Sequence, residues 1–173
     1  IAHAIQYPEV KPGVCPVLIS KEGAGKGTFM SMLKKMLGDT KVFETTQPSR
    51  DVWGQFNNQM MNNYIVNLNE LCKREQVEAV GRLKALITDP DVTINQKGIN
   101  SYNVKSYHRF IVTTNNEEPI NVTQDDRRNI VIRCSDEKIG KREYFNKIND
   151  LLEDDEIIVG LYNYFKSVSV SKN

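Results

Sequence analysis

The chain lacks several features that would have narrowed its chemistry at once. Its three cysteines, Cys15, Cys72 and Cys134, are too scattered for a zinc-ligand spacing or a disulfide framework. The expectation that follows is an intracellular, reducing setting. No apolar run approaches the roughly 18 residues of a membrane span, so a membrane is not among the expected partners. An excess of one charge is also missing, since 23 basic residues face 22 acidic ones. That balance excludes a uniformly basic nucleic-acid coat, and any polyanion has to be met by locally arranged cations. No internal repeat, low-complexity linker or secretory charge pattern is present. The chain opens at Ile1, which reads as a fragment of a longer protein.

What is present is material for one sizeable core. Hydrophobic residues make up 39% of the 173 positions, which suits a single domain with a short appendage. Val14, Val17, Leu18 and Ile19 form a buried-strand run, and Phe29, Met32, Leu33, Met36 and Leu37 follow at helical spacing until Gly38. A short strand is expected over Lys41–Glu44, then a helical stretch holding Val52, Trp53, Phe56 and Met60, with Trp53 and Phe56 in the core. Tyr64, Ile65, Val66 and Leu68 predict a strand, and Val77, Val80, Leu83 and Ile87 a helix broken by Asp89-Pro90. Val92–Asn95 and Ile99–Val104 flank Gln96-Lys97-Gly98 as a β-hairpin. Phe110–Val112 and Ile130–Ile132 are the last strands. Two helices follow, around Tyr144–Leu152 and Ile157–Phe165, joined by a solvated acidic run from Glu153 to Glu156. Strands alternating with helices imply an α/β fold with a largely parallel sheet flanked by helices.

The most informative stretch is Ser20-Lys21-Glu22-Gly23-Ala24-Gly25-Lys26-Gly27-Thr28, which leaves a strand and opens an amphipathic helix. Glycines there let successive amides point at phosphate oxygens, and the positive helix end adds to the field. Glu22 through Thr28 are the expected nucleotide-binding residues, with Lys26 reaching the β- and γ-phosphates and Thr28 helping to hold Mg²⁺. Two departures stand out. Ser20 replaces the first glycine of the pattern, and Gly27 pushes the hydroxyl of Thr28 about 100° further round the helix.

A triphosphatase needs a carboxylate at a neighbouring strand end to orient water and hold the metal's hydration shell. Glu70 is placed there, unless it caps the helix that follows, and Asn69 before it is a neutral, weaker metal ligand. Asn115, after another buried strand, is placed to bond the attacking water or the γ-phosphate. Asp125-Asp126-Arg127-Arg128 offers an arginine finger for a neighbouring subunit, or a solvated face tied to its aspartates. Lys97, Lys105, His108 and Arg109, with Tyr102 and Tyr107, form a local basic and aromatic cluster. A lysine at a hairpin tip pairs with phosphates without reading sequence, but the same exposed lysine also serves simply to keep an edge soluble, so Lys97, Gly98 and Lys105 are either DNA contacts or a solvated turn.

The ordered set resembles the superfamily 3 helicases of the phage and large-virus primase-helicase type. It runs from the loop Gly23-Ala24-Gly25-Lys26-Gly27-Thr28-Phe29 through Gly54-Gln55-Phe56-Asn57, Glu70, Leu83–Thr88, Asn95–Gly98 and Arg109–Asn115 to Asp126-Arg127-Arg128. The resemblance implies an AAA+-like P-loop core over residues 1–140, with 141–173 as a C-terminal helical segment packed on or appended to it. It implies ATP and Mg²⁺ as cofactors, catalysis by Lys26, Glu70, Asn115 and Arg127 or Arg128, and a metal held by Thr28, Asn69 and Glu70. It further implies a homo-oligomeric, hexameric ring translocating on single-stranded DNA in virus or phage replication, with a primase domain in the same full-length chain. Two other classes compete. One is a nucleoside monophosphate kinase, which Gly-Lys-Gly-Thr also suits, and the other an ATP-binding assembly module without useful turnover, which Asn69 suggests.

Overall fold

The apolar strand runs assemble into one five-stranded sheet. In the computed structural model, which describes residues 1–71, 73–116 and 126–172, the strands are β1 (Cys15–Ile19), β2 (Val42–Thr45), β3 (Ile65–Asn69), β6 (Arg109–Thr114) and β7 (Asn129–Arg133). Their order is β2-β3-β6-β1-β7, and every neighbouring pair is parallel. Parallel strands need crossovers, which the helices α2 (Lys26–Leu37), α3 (Pro48–Asp51) and α4 (Lys73–Thr88) supply. The expected antiparallel hairpin, β4 (Asp91–Ile94) and β5 (Tyr102–Lys105), precedes β6, but its second strand starts at Tyr102 and leaves Ile99 exposed in a longer loop. A short α1 (Ala2–Gln6) and the C-terminal α5 (Arg142–Leu152) and α6 (Asp155–Ser167) complete the chain. Cys72 and Asp125 lie outside the described residues, as do the side chains of Val77 and Val80. No helix among the described residues is long and apolar enough to cross a membrane.

Alternation along the strands divides the core in two. Cys15, Val17 and Ile19 of β1, Val66 and Leu68 of β3, and Phe110 and Val112 of β6 face Leu83 and Ile87 of α4 and Val92 and Ile94 of the hairpin. Ile65 and Ile111 face the other way, onto Met30 and Leu33 of α2. Every residue of β6 is buried, as befits a central parallel strand. At the sheet edge, β7 is different: Ile130, Val131 and Ile132 are all exposed. Helices α5 and α6 lie against α2, with Lys35 Nζ 2.7 Å from Glu153 Oε2 and Gln6 Nε2 donating to the carbonyls of Phe165 and Val168. Asp154 caps α6 by accepting from the Glu156 amide, so the acidic connection is solvated as expected.

One expected helix fails to form. A single helical turn, Pro48–Asp51, ends before Val52, and a 3₁₀ turn, Asn58–Met61, is what falls in the stretch from Val52 to Met60. The chain turns at Gly54 instead, where an added Cβ would sit 2.4 Å from the carbonyl oxygens of Ser49 and Arg50. The backbone doubles back there more tightly than a side chain allows. Val52 and Met60 are still buried and Trp53 packs on the core, with its Nε1 donating to Glu78. Phe56, expected in the core, is 45% exposed. Its neighbour Asn57 instead ties the turn to the hairpin, donating Nδ2 to the Thr93 carbonyl and accepting from the Asn95 amide, both at 2.9 Å.

The expected basic cluster is also split by burial. Arg109 is buried, and its guanidinium donates to the carbonyls of Tyr7, Pro8, Val10 and Tyr107. His108 is buried as well. Its Nε2 donates to the Met60 carbonyl, so Nδ1 accepts from Ser106 Oγ, which in turn accepts from Lys11 Nζ. Both residues are spent on protein carbonyls and cannot serve DNA. Burial, helped by the Lys11 charge and opposed by the Met60 carbonyl, holds the His108 imidazole below its ordinary 6.5. The unfolded chain therefore binds the extra proton more readily, and stability falls as pH drops through 6.5. Denaturation midpoints measured between neutral and mildly acidic pH should show this decline in the wild type and a flatter profile in His108→Gln.

Candidate phosphate-binding site

On the α2 side of the sheet, each of three adjacent strands switches from apolar to polar partway along. Val42 is followed two residues later by Glu44 on β2, Ile65 by Asn67 and Asn69 on β3, and Ile111 by Thr113 on β6. Val42 pairs with Ile65, Glu44 with Asn67, and Asn69 with Thr113, while Asn67 lies opposite Ile111 on its other side. The apolar ends anchor α2. The polar ends floor a cleft of about 570 Å³ beneath the β1–α2 loop, at the carboxyl ends of the strands where ligands of such sheets gather.

The loop is shaped by glycine. Gly23 and Gly25 have φ of +79° and +103°, in the region that disfavours a side chain. A Cβ on Gly25 would also lie 2.9 Å from Cε1 of Phe145, which α5 brings over the loop. Gly25 is the residue before the first turn of α2, so the amides of Lys26 and Gly27 open the helix toward the cleft.

Lys26 is the centre of the arrangement. Its ammonium lies 3.0 Å from the Ser20 carbonyl and 3.1 Å from Ser20 Oγ, donates to Asn115 Oδ1, and sits 3.7 Å from Glu70 Oε1. Ser20, a departure in the sequence pattern, is thus a direct partner of the lysine. Glu70 accepts from the Asn115 amide at 3.1 Å, while its own amide extends the ladder to the Thr113 carbonyl. Its φ of +49° makes it the sole non-glycine residue with positive φ among those described. Such a backbone costs on the order of 1–3 kcal/mol and marks a position where the geometry of the side chain matters.

The cleft therefore gathers Glu22, Gly23, Gly25, Lys26, Gly27, Thr28, Asn69, Glu70 and Asn115. Ala24 turns to a neighbouring apolar hollow with Leu18 and Phe29. Arg127 and Arg128 are elsewhere. They precede β7, where Asn129 pairs with Cys15 at the start of β1, whereas the loop follows the end of β1. Four strand steps, about 13 Å, separate the two ends, so neither arginine completes this cleft within the chain. Asp126 accepts from the Arg128 amide and from Asn129 Nδ2, and the first of these contacts chiefly holds its carboxyl below the usual range. The aspartate thus fixes the backbone of the arginine turn. Lys97 and Gly98 are exposed in the β4–β5 loop, and Lys105 ends β5 with its Nζ 5.9 Å from the Tyr107 ring centroid. Among the described residues no cluster of three His, Cys, Asp or Glu could cage a metal ion.

Sequence reasoning missed Glu44, Asn67, Thr113 and Phe145, all of which line the cleft. Period-two reading of the strands beyond their apolar halves would have found the first three. Phe145 had no local signal, because only the packing of α5 on α2 brings it there.

Comparison with known proteins adds three findings. A family model described as a family of unknown function, DUF5906, matches residues 18–128. A DNA primase-polymerase of Nitratiruptor phage NrS-1 is 33% identical over 138 residues, which cover 78% of this chain and 19% of that protein. Two apo structures of the NrS-1 C-terminal region superpose with TM-scores of 0.76 and 0.77 at 28% and 26% identity, covering 99% and 98% of this chain. The chain spans about two fifths of those solved chains and under a fifth of the phage protein.

The strained carboxylate yields a stability test. Glu70→Ala and Glu70→Gly both remove the Lys26 pair, but only glycine relaxes at positive φ. The glycine variant should be about 1 kcal/mol more stable than the alanine variant by chemical denaturation, the reverse of the usual order.

Proposed function

The chain belongs to the DUF5906 family, and we propose that this segment of it is the ATPase motor of a ring-forming DNA helicase of the superfamily 3 type, built on an AAA+-like P-loop core. The observation that carries the reading is the convergence of Ser20, Glu70 and Asn115, from three strand ends, on the ammonium of Lys26 beneath a glycine loop at a helix start. The same shape and chemistry suit a triphosphate: amides at the loop, a cation that exchanges protein oxygens for phosphate oxygens, and a carboxylate beside the place where water would attack. A DNA-replication setting is supported by the likeness to a phage primase-polymerase.

In this reading the Gly23–Gly27 backbone cradles the phosphates and Lys26 pairs with the β- and γ-phosphates. Glu70 orients and deprotonates the attacking water, with Asn115 holding Glu70 through its amide and the γ-phosphate through its side chain. Mg²⁺, which usually keeps several waters and one or two protein ligands beside substrate phosphates, would be held by Thr28 and Glu70 and would neutralise developing charge. Arg127 or Arg128, remote from the cleft of its own chain, acts on the γ-phosphate of the next subunit. The hairpin, braced by Asn57, presents Lys97, Gly98 and Lys105 to the backbone of single-stranded DNA.

Steady-state ATP hydrolysis over a range of protein concentrations, with and without single-stranded DNA, tests this. The specific rate should climb with concentration and rise further with DNA. Lys26→Ala should abolish turnover, and mixing it with Arg127→Ala or Arg128→Ala should restore part of it, since each subunit supplies what the other lacks. A flat, DNA-blind rate, or arginine variants with unchanged turnover, would contradict the ring.

A further inference from the structure

Beneath the loop, five side chains that the reaction above does not use form one hydrogen-bonded line. Lys34 Nζ on α2 lies 2.6 Å from Glu44 Oε1. Glu44 Oε2 accepts from Asn67 Nδ2 at 3.1 Å, and the same nitrogen donates to Thr113 Oγ1 at 3.0 Å. Thr113 Oγ1 in turn lies 3.0 Å from Asn69 Oδ1. Asn67 and Thr113 are each 1% exposed, so their polar atoms have no recourse to water.

The direction of this line is dictated by its first member. A carboxylate paired with an ammonium only accepts, so the Asn67 atom facing Glu44 is the amide nitrogen. That nitrogen has one further proton, which goes to Thr113 Oγ1. The hydroxyl that accepts it has a single proton to give. Two oxygens lie within its reach, Asn67 Oδ1 at 3.2 Å and Asn69 Oδ1 at 3.0 Å, and the nearer, Asn69 Oδ1, takes the proton in the side-chain orientations of this structure. With its oxygen turned inward and engaged, Asn69 offers its Nδ2 protons to the cleft.

We propose that Asn69 is a hydrogen-bond donor to the phosphates of the bound nucleotide and not a ligand of the metal, its orientation fixed by Lys34, Glu44, Asn67 and Thr113 as positioning residues. This rests on the nucleotide reading of the cleft, and it departs from the expectation that Asn69 is a weakened metal ligand. An asparagine at this position is then no degraded carboxylate. It adds a neutral donor beside Lys26, where a second carboxylate would repel the phosphates.

The test is the affinity for ATP, measured by isothermal titration calorimetry in Mg²⁺ and again in EDTA, for the wild type, Asn69→Leu and Thr113→Val. A contact to phosphate is lost whether or not metal is present. Asn69→Leu should therefore weaken ATP by roughly tenfold to a hundredfold in both conditions. Thr113→Val, which keeps the shape of the side chain, should reproduce part of that loss in both conditions and add little on top of Asn69→Leu. A loss confined to Mg²⁺, or no loss at all, would overturn the donor assignment while leaving the nucleotide site intact. Absence of ATP binding by the wild type in both conditions would instead remove the nucleotide reading itself.

Discussion

One partly buried ammonium organises the site. The Lys26 side chain is 16% exposed, so it must be solvated by protein oxygens or by a ligand. The fold answers by bringing three strand ends to it, with Ser20 after β1, Glu70 after β3 and Asn115 after β6. Because β6 lies between β1 and β3, those ends can converge only if all three strands run the same way and stop at the same level. The parallel sheet is therefore the condition for the site, and the left-handed backbone of Glu70 is the local strain accepted to aim its carboxylate.

A second constraint separates cations that hold the fold from cations that remain available. Lys11, His108 and Arg109 are closed off by carbonyls and hydroxyls, and their protons, apart from that of Arg109 Nε, go to the α4 terminus, the Met60 turn and the N-terminal segment. Lys97 and Lys105 stay in water on the hairpin. In a chain of nearly balanced charge, this sorting decides where a polyanion can be met, and the number of basic residues does not. The hairpin owes its fixed placement to Val92 and Ile94 in the core and to Asn57, so the Gly54–Asn57 stretch acts as a brace.

Much of this was legible in the sequence. Apolar runs and their spacing located the sheet strands, the hairpin and the long helices, and the glycine-lysine loop located the cleft. Lys26 and Thr28 were read from the glycine-lysine loop that opens α2, and Glu70 and Asn115 from their places at the ends of apolar strand runs. What was not legible depended on tertiary contact. Gly54 lets the chain turn back on Ser49 and Arg50 where no side chain would fit, a close approach that no pattern of apolar residues encodes. His108 and Arg109 read as part of a basic patch, because sequence shows their charge and not the carbonyls that meet it. The contact between Asn69 and Thr113 was not legible either, because the two lie 44 positions apart along the chain.

The central claim is that the cleft under the loop binds a nucleotide through its terminal phosphates. Calorimetric titration of the protein with ATP and with AMP, each in Mg²⁺, tests it most directly. The account requires one saturable site for ATP per chain and an affinity for AMP at least about tenfold weaker, because AMP lacks the β- and γ-phosphates that Lys26 pairs with. Equal affinity for the two nucleotides would mean that the phosphates are not what the cleft holds, and the account would be wrong at its root.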